Sequence, residues 1–209
     1  IVELLAASNS GLSLAAMTEA LQIPKTSLLN HLRVMVVAGY VSSRDARYTL
    51  GPASMRLGAI IAGGKATRFG SDKAAAPLNG TALIEHVADG LRDQVDTLIV
   101  CGRAWPGMDW VEDRPFAGMG PLGGLNAALH YAQQNGFDAV VTAGCDVVPV
   151  AQFPIDRPSE RAVYIDGHYL FGVWPVALAP LLDRHLRHQD NLSMRNWIAV
   201  SGAQAITSA

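Results

Sequence analysis

From about Leu57 onward the sequence predicts a three-layer α/β sandwich built on a mostly parallel sheet, and before Leu57 a small winged helix-turn-helix unit. Two patterns carry this expectation. In the longer part, short continuous apolar runs alternate with helical stretches, as in a parallel sheet covered by helices on both faces. In the shorter part, apolar residues recur at helical spacing three times and are followed by two β-prone runs, the order of three helices and a hairpin.

In the first part, Ile1 to Ala7 reads as a short apolar helix, and Ser13 can cap a second helix carrying Leu14, Met17 and Leu21. Pro24 suits the first turn of a third helix, where its missing N–H costs nothing. Leu28, Leu29, Leu32, Met35 and Val36 supply that helix's buried stripe, and Gly39 ends it. Tyr40-Val41-Ser42 and Arg47 to Leu50 then flank a turn at Ser43-Arg44-Asp45-Ala46.

In the second part, Ala59 to Ala62 is a buried strand ending in Gly63-Gly64. A helix over Ala82 to Leu91 leads to a strand at Thr97 to Val100. A helix over Gly123 to Asn135 leads to a strand at Ala139 to Ala143. The boundary between the parts is placed at 56/57, with residues 57–209 as one domain.

Half of the 209 residues are hydrophobic and 16% are charged, which excludes a disordered chain. The longest apolar runs fall far short of the roughly 20 residues of a membrane span. The opening Ile1-Val2-Glu3-Leu4-Leu5 has no basic n-region, so no signal peptide is expected there. Cys101 and Cys145 lack the closely spaced Cys/His partners of a zinc site. Reduced thiols and a cytoplasmic setting are the expectation. The net charge of −2 conceals a split: residues 1–56 hold five basic groups against three acidic, the remainder eleven against fifteen. A mildly basic head is compatible with nucleic-acid contact.

Three segments carry chemistry. Gly63-Gly64-Lys65-Ala66-Thr67-Arg68-Phe69-Gly70-Ser71-Asp72-Lys73 follows the first strand. Glycines let backbone N–H groups approach a triphosphate, and Lys65, Arg68 and Lys73 can neutralise its oxygens. The segment is neither a Walker A loop nor Gly-x-Gly-x-x-Gly. Cys145-Asp146 follows the strand ending at Ala143, where α/β folds place ligands. The natural task of Asp146 beside a triphosphate is to hold Mg²⁺, against the plainer reading of an acid capping a turn. Glu112-Asp113 precedes the glycine-rich Gly118 to Gly124. It offers either a carboxylate for a purine edge or ribose, or an exposed acidic turn.

Together, Ile61-Ala62-Gly63-Gly64 through Lys73, Asp113 with Gly120-Pro121-Leu122, and Cys145-Asp146 resemble the motifs of the MobA-type molybdenum cofactor guanylyltransferases. The tail is similar in outline, with Leu170 to Pro175, a Leu-rich helix to His185, and Ser193 to Trp197. The resemblance implies a nucleotidyltransferase sandwich that moves GMP from GTP to molybdopterin, releases pyrophosphate and uses Mg²⁺. It implies that Ile61, Ala62, Gly63 and Gly64 line the nucleotide, that Lys73 contacts phosphates with Arg68 beside it, that Asp113 binds the nucleotide and that Asp146 ligates the metal. Molybdenum cofactor insertion proteins or molybdoenzymes would be its protein partners. The chain departs from that family with Cys101-Gly102-Arg103 where an Asn usually follows the second strand, and with Asp146-Val147-Val148-Pro149, where Pro usually comes two residues after the acid.

Residues 1–56 resemble the DNA-binding domain of IclR-type regulators through Gly11 to Leu14, Ile23 to Ser27, His31-Leu32, Ala38 to Val41 and Tyr48 to Pro52. That likeness implies Lys25, Thr26, Ser27, Asn30 and His31 in a major groove and Arg44 and Arg47 on phosphate. Two other readings remain: a DNA-binding regulator whose nucleotide-binding body is a sensor, and a nucleotidyltransferase for another phosphorylated acceptor.

Overall fold

The computed structural model describes residues 1–6, 8, 11–37, 39–50, 56–63, 72–153, 161–188 and 191–207. Contacts divide the chain into two compact units, Ile1–Ser54 and Met55–Ala209.

The first unit runs α1 (Val2–Ala6), β1 (Leu12–Ser13), α2 (Leu14–Leu21), α3 (Lys25–Val37), β2 (Val41–Arg44) and β3 (Arg47–Leu50). Ser13 caps α2, its hydroxyl accepting from the Ala16 N–H at 3.2 Å. Pro24 stands just before α3 rather than in its first turn, and its carbonyl accepts the Leu28 N–H at 3.0 Å. Leu5, Met17, Leu28, Leu32 and Val41 form the core. Val36, expected in the buried stripe of α3, is instead exposed, because it lies one residue further round the helix than Met35, which packs on the core. Asp45 and Ala46 both have positive φ, the backbone that two-residue hairpin turns need to match strand twist. Strand β1, absent from the sequence reading, adds antiparallel to β3 through Leu12↔Tyr48 and Ser13↔Arg47; two residues are too few to show a period.

The second unit runs β4 (Arg56–Ile61), β5 (Pro77–Leu78), β6 (Thr81–Ala82), α4 (Leu83–Arg92), β7 (Thr97–Cys101), β8 (Asp109–Val111), α5 (Pro121–Gln134), β9 (Ala139–Gly144), β10 (Val163–Ile165), β11 (His168–Pro175), a 3₁₀ turn (Val176–Leu178), α6 (Ala179–His188), α7 (Met194–Ser201) and β12 (Gln204–Ile206). Seven strands form one sheet in the order β12-β10-β11-β9-β4-β7-β8. Strands β9, β4, β7 and β8 are mutually parallel; β11 runs antiparallel to β9 and β10.

Alternation along β4 builds the two outer layers. Leu57, Ala59 and Ile61 pack with Leu122, Leu125 and Leu129 of α5 and Leu182 of α6. Ile60 and Ala62 pack with Ile84, Val87 and Leu91 of α4. Strand β4 begins three residues earlier than the apolar run suggested, since Arg56 already pairs with Ala139. A Cβ at Gly58 would stand 2.7 Å from Leu98 Cδ1, so the glycine within the strand answers to close packing. None of the described helices is long and apolar enough to cross a membrane. The chain leaves β4 towards β7 on one side and returns to β9 on the other, which places the strand-order reversal, and the crevice it opens, at the carboxyl end of β4.

Candidate active site

The carboxyl end of β4 is pinned on both sides: Ala62 N–H donates to the Cys101 carbonyl at 2.9 Å, and Cys145 N–H donates to that of Ile61 at 3.3 Å. The segments after β4, β7 and β9 therefore converge. Of the glycine-rich loop, Gly63, Asp72 and Lys73 are described; Gly64, Lys65 and Arg68 lie outside the described residues.

Gly63 and Gly102 meet backbone to backbone. A Cβ on Gly102 would stand 2.4 Å from Gly63 Cα and 2.8 Å from Asp113 Oδ1, and Gly102 has φ +89°. Both demands exclude a side chain. Gly102→Ala is expected to cost about 1–3 kcal/mol, the usual scale of such backbone strain, and to displace Asp113. Urea unfolding checks it, and a midpoint equal to the parent's would show that the contact can relax.

Asp113 sits in this corner, 7% exposed. Its Oδ2 accepts from the Gly118 N–H at 3.3 Å, while its buried Oδ1 has no partner. Burial pushes its carboxyl above the usual range, only partly opposed by the Gly118 bond. The plainer reading of an exposed acidic turn therefore fits the neighbouring Glu112, which is exposed, and not Asp113. Gly123, in the first turn of α5, is where a Cβ would stand 3.1 Å from Asp113 Cβ, so the small residue lets the acid lie against the helix start.

On the other side of β4, Lys73 Nζ bonds Asp146 Oδ2 at 2.8 Å, with both side chains well exposed. The Asp146 carboxylate raises the Lys73 pKa, first through this hydrogen bond and then through its charge. A second pair, Arg103 to Asp72 at 2.6 Å, lies beside it. The bonded guanidinium holds the Asp72 carboxyl below its usual value, and Arg103 also lies over the Trp105 ring, 5.6 Å from its centroid. Its role as partner of Asp72 is not visible in the sequence, where the two are 31 residues apart.

A third cluster joins α5 to α6. Asp183 accepts from Asn126 Nδ2 at 2.9 Å and lies 3.1 Å from His130 Nε2. Nothing in residue type or spacing flags it.

Among the described residues no three His, Cys, Asp or Glu side chains gather as a metal cage. A carboxylate with a lysine beside it fits Mg²⁺ of the substrate-borne kind, in which phosphates and water complete the shell.

In the first unit, Lys25, Thr26, Asn30 and His31 are exposed along α3, while Ser27 is half-buried and its carbonyl lies 2.7 Å from His31 Nδ1. Arg44 and Arg47 are exposed, and Arg47 donates to the Gly11 carbonyl at 2.8 Å.

A glycine-lined crevice at the strand-order reversal, an acid at the end of β9 and a paired lysine define a nucleotidyltransferase-type α/β site. Residues 58–208 match the model of the MobA-like NTP transferase domain, and the chain belongs to that family; it is a nucleotidyltransferase. It is similar to the molybdenum cofactor guanylyltransferase of Rhodobacter capsulatus, 33% identical over 141 residues, covering 62% of this chain and 74% of the relative. That of Rhizobium leguminosarum bv. trifolii (strain WSM2304) is 31% identical over 153 residues, covering 68% and 73%. Among solved structures, the molybdopterin-guanine dinucleotide biosynthesis protein A of Archaeoglobus fulgidus shares the fold, with a TM-score of 0.55 at 19% identity, covering 73% of this chain and 83% of that one.

Proposed function

We propose that the second unit is a molybdenum cofactor guanylyltransferase, transferring GMP from GTP to molybdopterin in the cytoplasm. The observation that carries this reading is the pairing of a buried, half-satisfied Asp113 on one side of β4 with Lys73–Asp146 on the other. The first suits the base or ribose of a nucleotide and the second its phosphates.

In the reaction an oxygen of the acceptor's phosphate bonds to the α-phosphorus of GTP, and the bond from that phosphorus to the bridging oxygen breaks, releasing pyrophosphate. Asp146 would hold Mg²⁺, which supplies charge to spread over the phosphate oxygens when bound. Lys73, drawn from Asp146 to the nucleotide, puts an ammonium against the same oxygens. Asp113 would fix the nucleoside end and Ile61, Ala62 and Gly63 would line it; the family likeness adds Gly64 to that lining and Arg68 as a further positive charge. Catalysis by these residues is positioning and electrostatics. The product would pass to insertion proteins or molybdoenzymes.

Thermal-shift titration with the four NTPs and Mg²⁺, followed by pyrophosphate release with molybdopterin, tests the reading. Stabilisation by GTP above the other three is expected. An equal response to all four, or none, would overturn the guanine assignment.

The first unit is read as an IclR-type winged helix-turn-helix that binds DNA. On this reading Lys25, Thr26, Asn30 and His31, exposed on α3, with Ser27 in the same turn, would enter a major groove, and Arg44 at the hairpin turn would meet phosphate. Arg47, bonded to Gly11, contributes more to holding the sheet than the sequence suggested. Binding to duplex DNA should weaken steeply with salt. No binding in low-salt buffer would remove the reading.

A further inference from the structure

Asn126, His130 and Asp183 form a polar cluster between α5 and α6 to which the transfer reaction gives no task. We propose that Asp183 is a positioning residue for Asp113: with Asn126, His130 and Arg114 it fixes where the Asp113 carboxylate stands, and so its grip on the nucleoside. The inference rests on the reading of Asp113 as a nucleotide ligand and adds the residues that aim it.

The cluster stands where apolar contact would be expected. Helix α5 buries Leu122, Leu125, Ala128, Leu129 and Ala132, and among its described residues Asn126 is the one buried polar side chain, 0% exposed. Leu182 and Leu186 of α6 pack on the same core. The Asn126 Nδ2 donates to Asp183 Oδ1 at 2.9 Å, while its own Oδ1 has no partner. Enclosing such an amide carries a desolvation cost, and exchanging a buried polar pair for apolar groups is often neutral for stability. What the polar pair adds here is a fixed geometry.

One face of α5 links that geometry to Asp113. Gly123, Asn126 and His130 follow at intervals of three and four residues and so share a face. At its start Asp113 lies over Gly123, where a Cβ would stand 3.1 Å from that of the acid, and the Arg114 N–H donates to the Gly123 carbonyl at 3.1 Å. Further along, His130 Nε2 lies 3.1 Å from both Asp183 oxygens. Burial works against the Asp183 carboxylate, but the bonds from Asn126 and His130, then the charges of His130 and Arg114, outweigh it and hold the carboxyl below its usual range. Arg114 is the residue after Asp113. The turn that carries Asp113 is therefore tied by its backbone to α5 and by charge to Asp183.

Double-mutant cycles on the full chain test the proposal. Asp183→Ala should weaken GTP by about tenfold, within the range of coupling in one network. On an Asp113→Asn background, with no carboxylate left to aim, it should weaken GTP by less than about twofold. A merely structural acid would give the same loss on both. In turnover the loss should lie in the KM for GTP, with kcat within about twofold of the parent. Ligand-free protein gives a second cycle: the gain in melting temperature that Asp113→Asn brings to the parent should vanish on the Asp183→Ala background, where the released carboxylate reaches water. Arg114→Gln, at an exposed residue, should act in the same direction in both cycles and keeps the test decisive should Asp183→Ala fold poorly. In a parent that binds GTP, additive effects in either cycle, or a fall in kcat at unchanged KM, would overturn the inference. The nucleotide reading fails separately. In a parent that GTP does not stabilise, coupled melting temperatures would leave Asp183 positioning Asp113 and remove Asp113 from the nucleotide, and additive ones would remove both.

Discussion

Replacing Asp146 with Ala is expected to lower guanylyl transfer by about 10³-fold, the scale seen when one electrostatic contact to a charged transition state is removed, while leaving the fold intact. The side chain is well exposed and its partner Lys73 more so, so the ion pair adds little to stability and salt would screen it further. Its loss for catalysis is larger because the neighbouring carboxylate, Asp72, is engaged by Arg103. Stabilisation by GTP should also split in two: the part seen without Mg²⁺ stays, since Asp113 and the Gly63–Gly102 corner are untouched, and the increment added by Mg²⁺ disappears. Pyrophosphate release and thermal shifts with and without Mg²⁺ measure both. Activity within tenfold of the parent, with the Mg²⁺ increment preserved, would remove Asp146 from the metal site.

The parts of this fold that were legible in sequence are those where one interaction dominates. Strands β4, β7 and β9 lie between helical layers and must be apolar on both faces, so Ile60, Ile99 and Val141 declare themselves without neighbours. Strand β8 lies at the sheet edge with Asp109 and Trp110 exposed, and three residues of mixed character carry no period. The β10–β11 hairpin was hidden for a different reason: its register shifts between Tyr164 and Ile165, which breaks the alternation a strand would show. In the site, Lys73, Asp113 and Asp146 stood out because each follows a strand or adjoins glycines. Their relations did not. The Lys73–Asp146 bond spans 73 residues and Asn126–Asp183 spans 57, and only the crossovers through α4, α5 and α6 bring them together. Likewise the half-satisfied state of Asp113 depends on Gly102 and Gly118, which no local spacing ties to it.

That state of Asp113 leads to an opposed pair of effects. Asp113→Asn should raise the stability of the ligand-free protein and lower its affinity for GTP. Burial places the folded-state pKa of Asp113 above its unfolded value. A raised acid stabilises the fold only while protonated, below the unfolded value, and that contribution is lost as pH rises through the folded one. Above the unfolded value the buried carboxyl is therefore a cost, and Oδ1, buried without a partner, is its source. Asparagine removes the charge, keeps an acceptor for the Gly118 N–H, and still leaves one polar atom unmatched. The gain should be about 1 kcal/mol, smaller than the full cost of a buried unpaired group, or roughly 2–4 °C in melting temperature. The difference between variant and parent should shrink on acidification, as Asp113 itself becomes neutral. Affinity moves the other way: a carboxylate accepting from a nucleoside N–H or O–H contributes a charge-assisted bond, and its loss should weaken GTP by about 10–100-fold. Melting curves across pH and GTP titration of the same samples check the two signs. If stability and affinity fell together, Asp113 would be a structural acid whose missing partner is a protein group or a buried water, and the nucleotide would have to be held from elsewhere in the crevice.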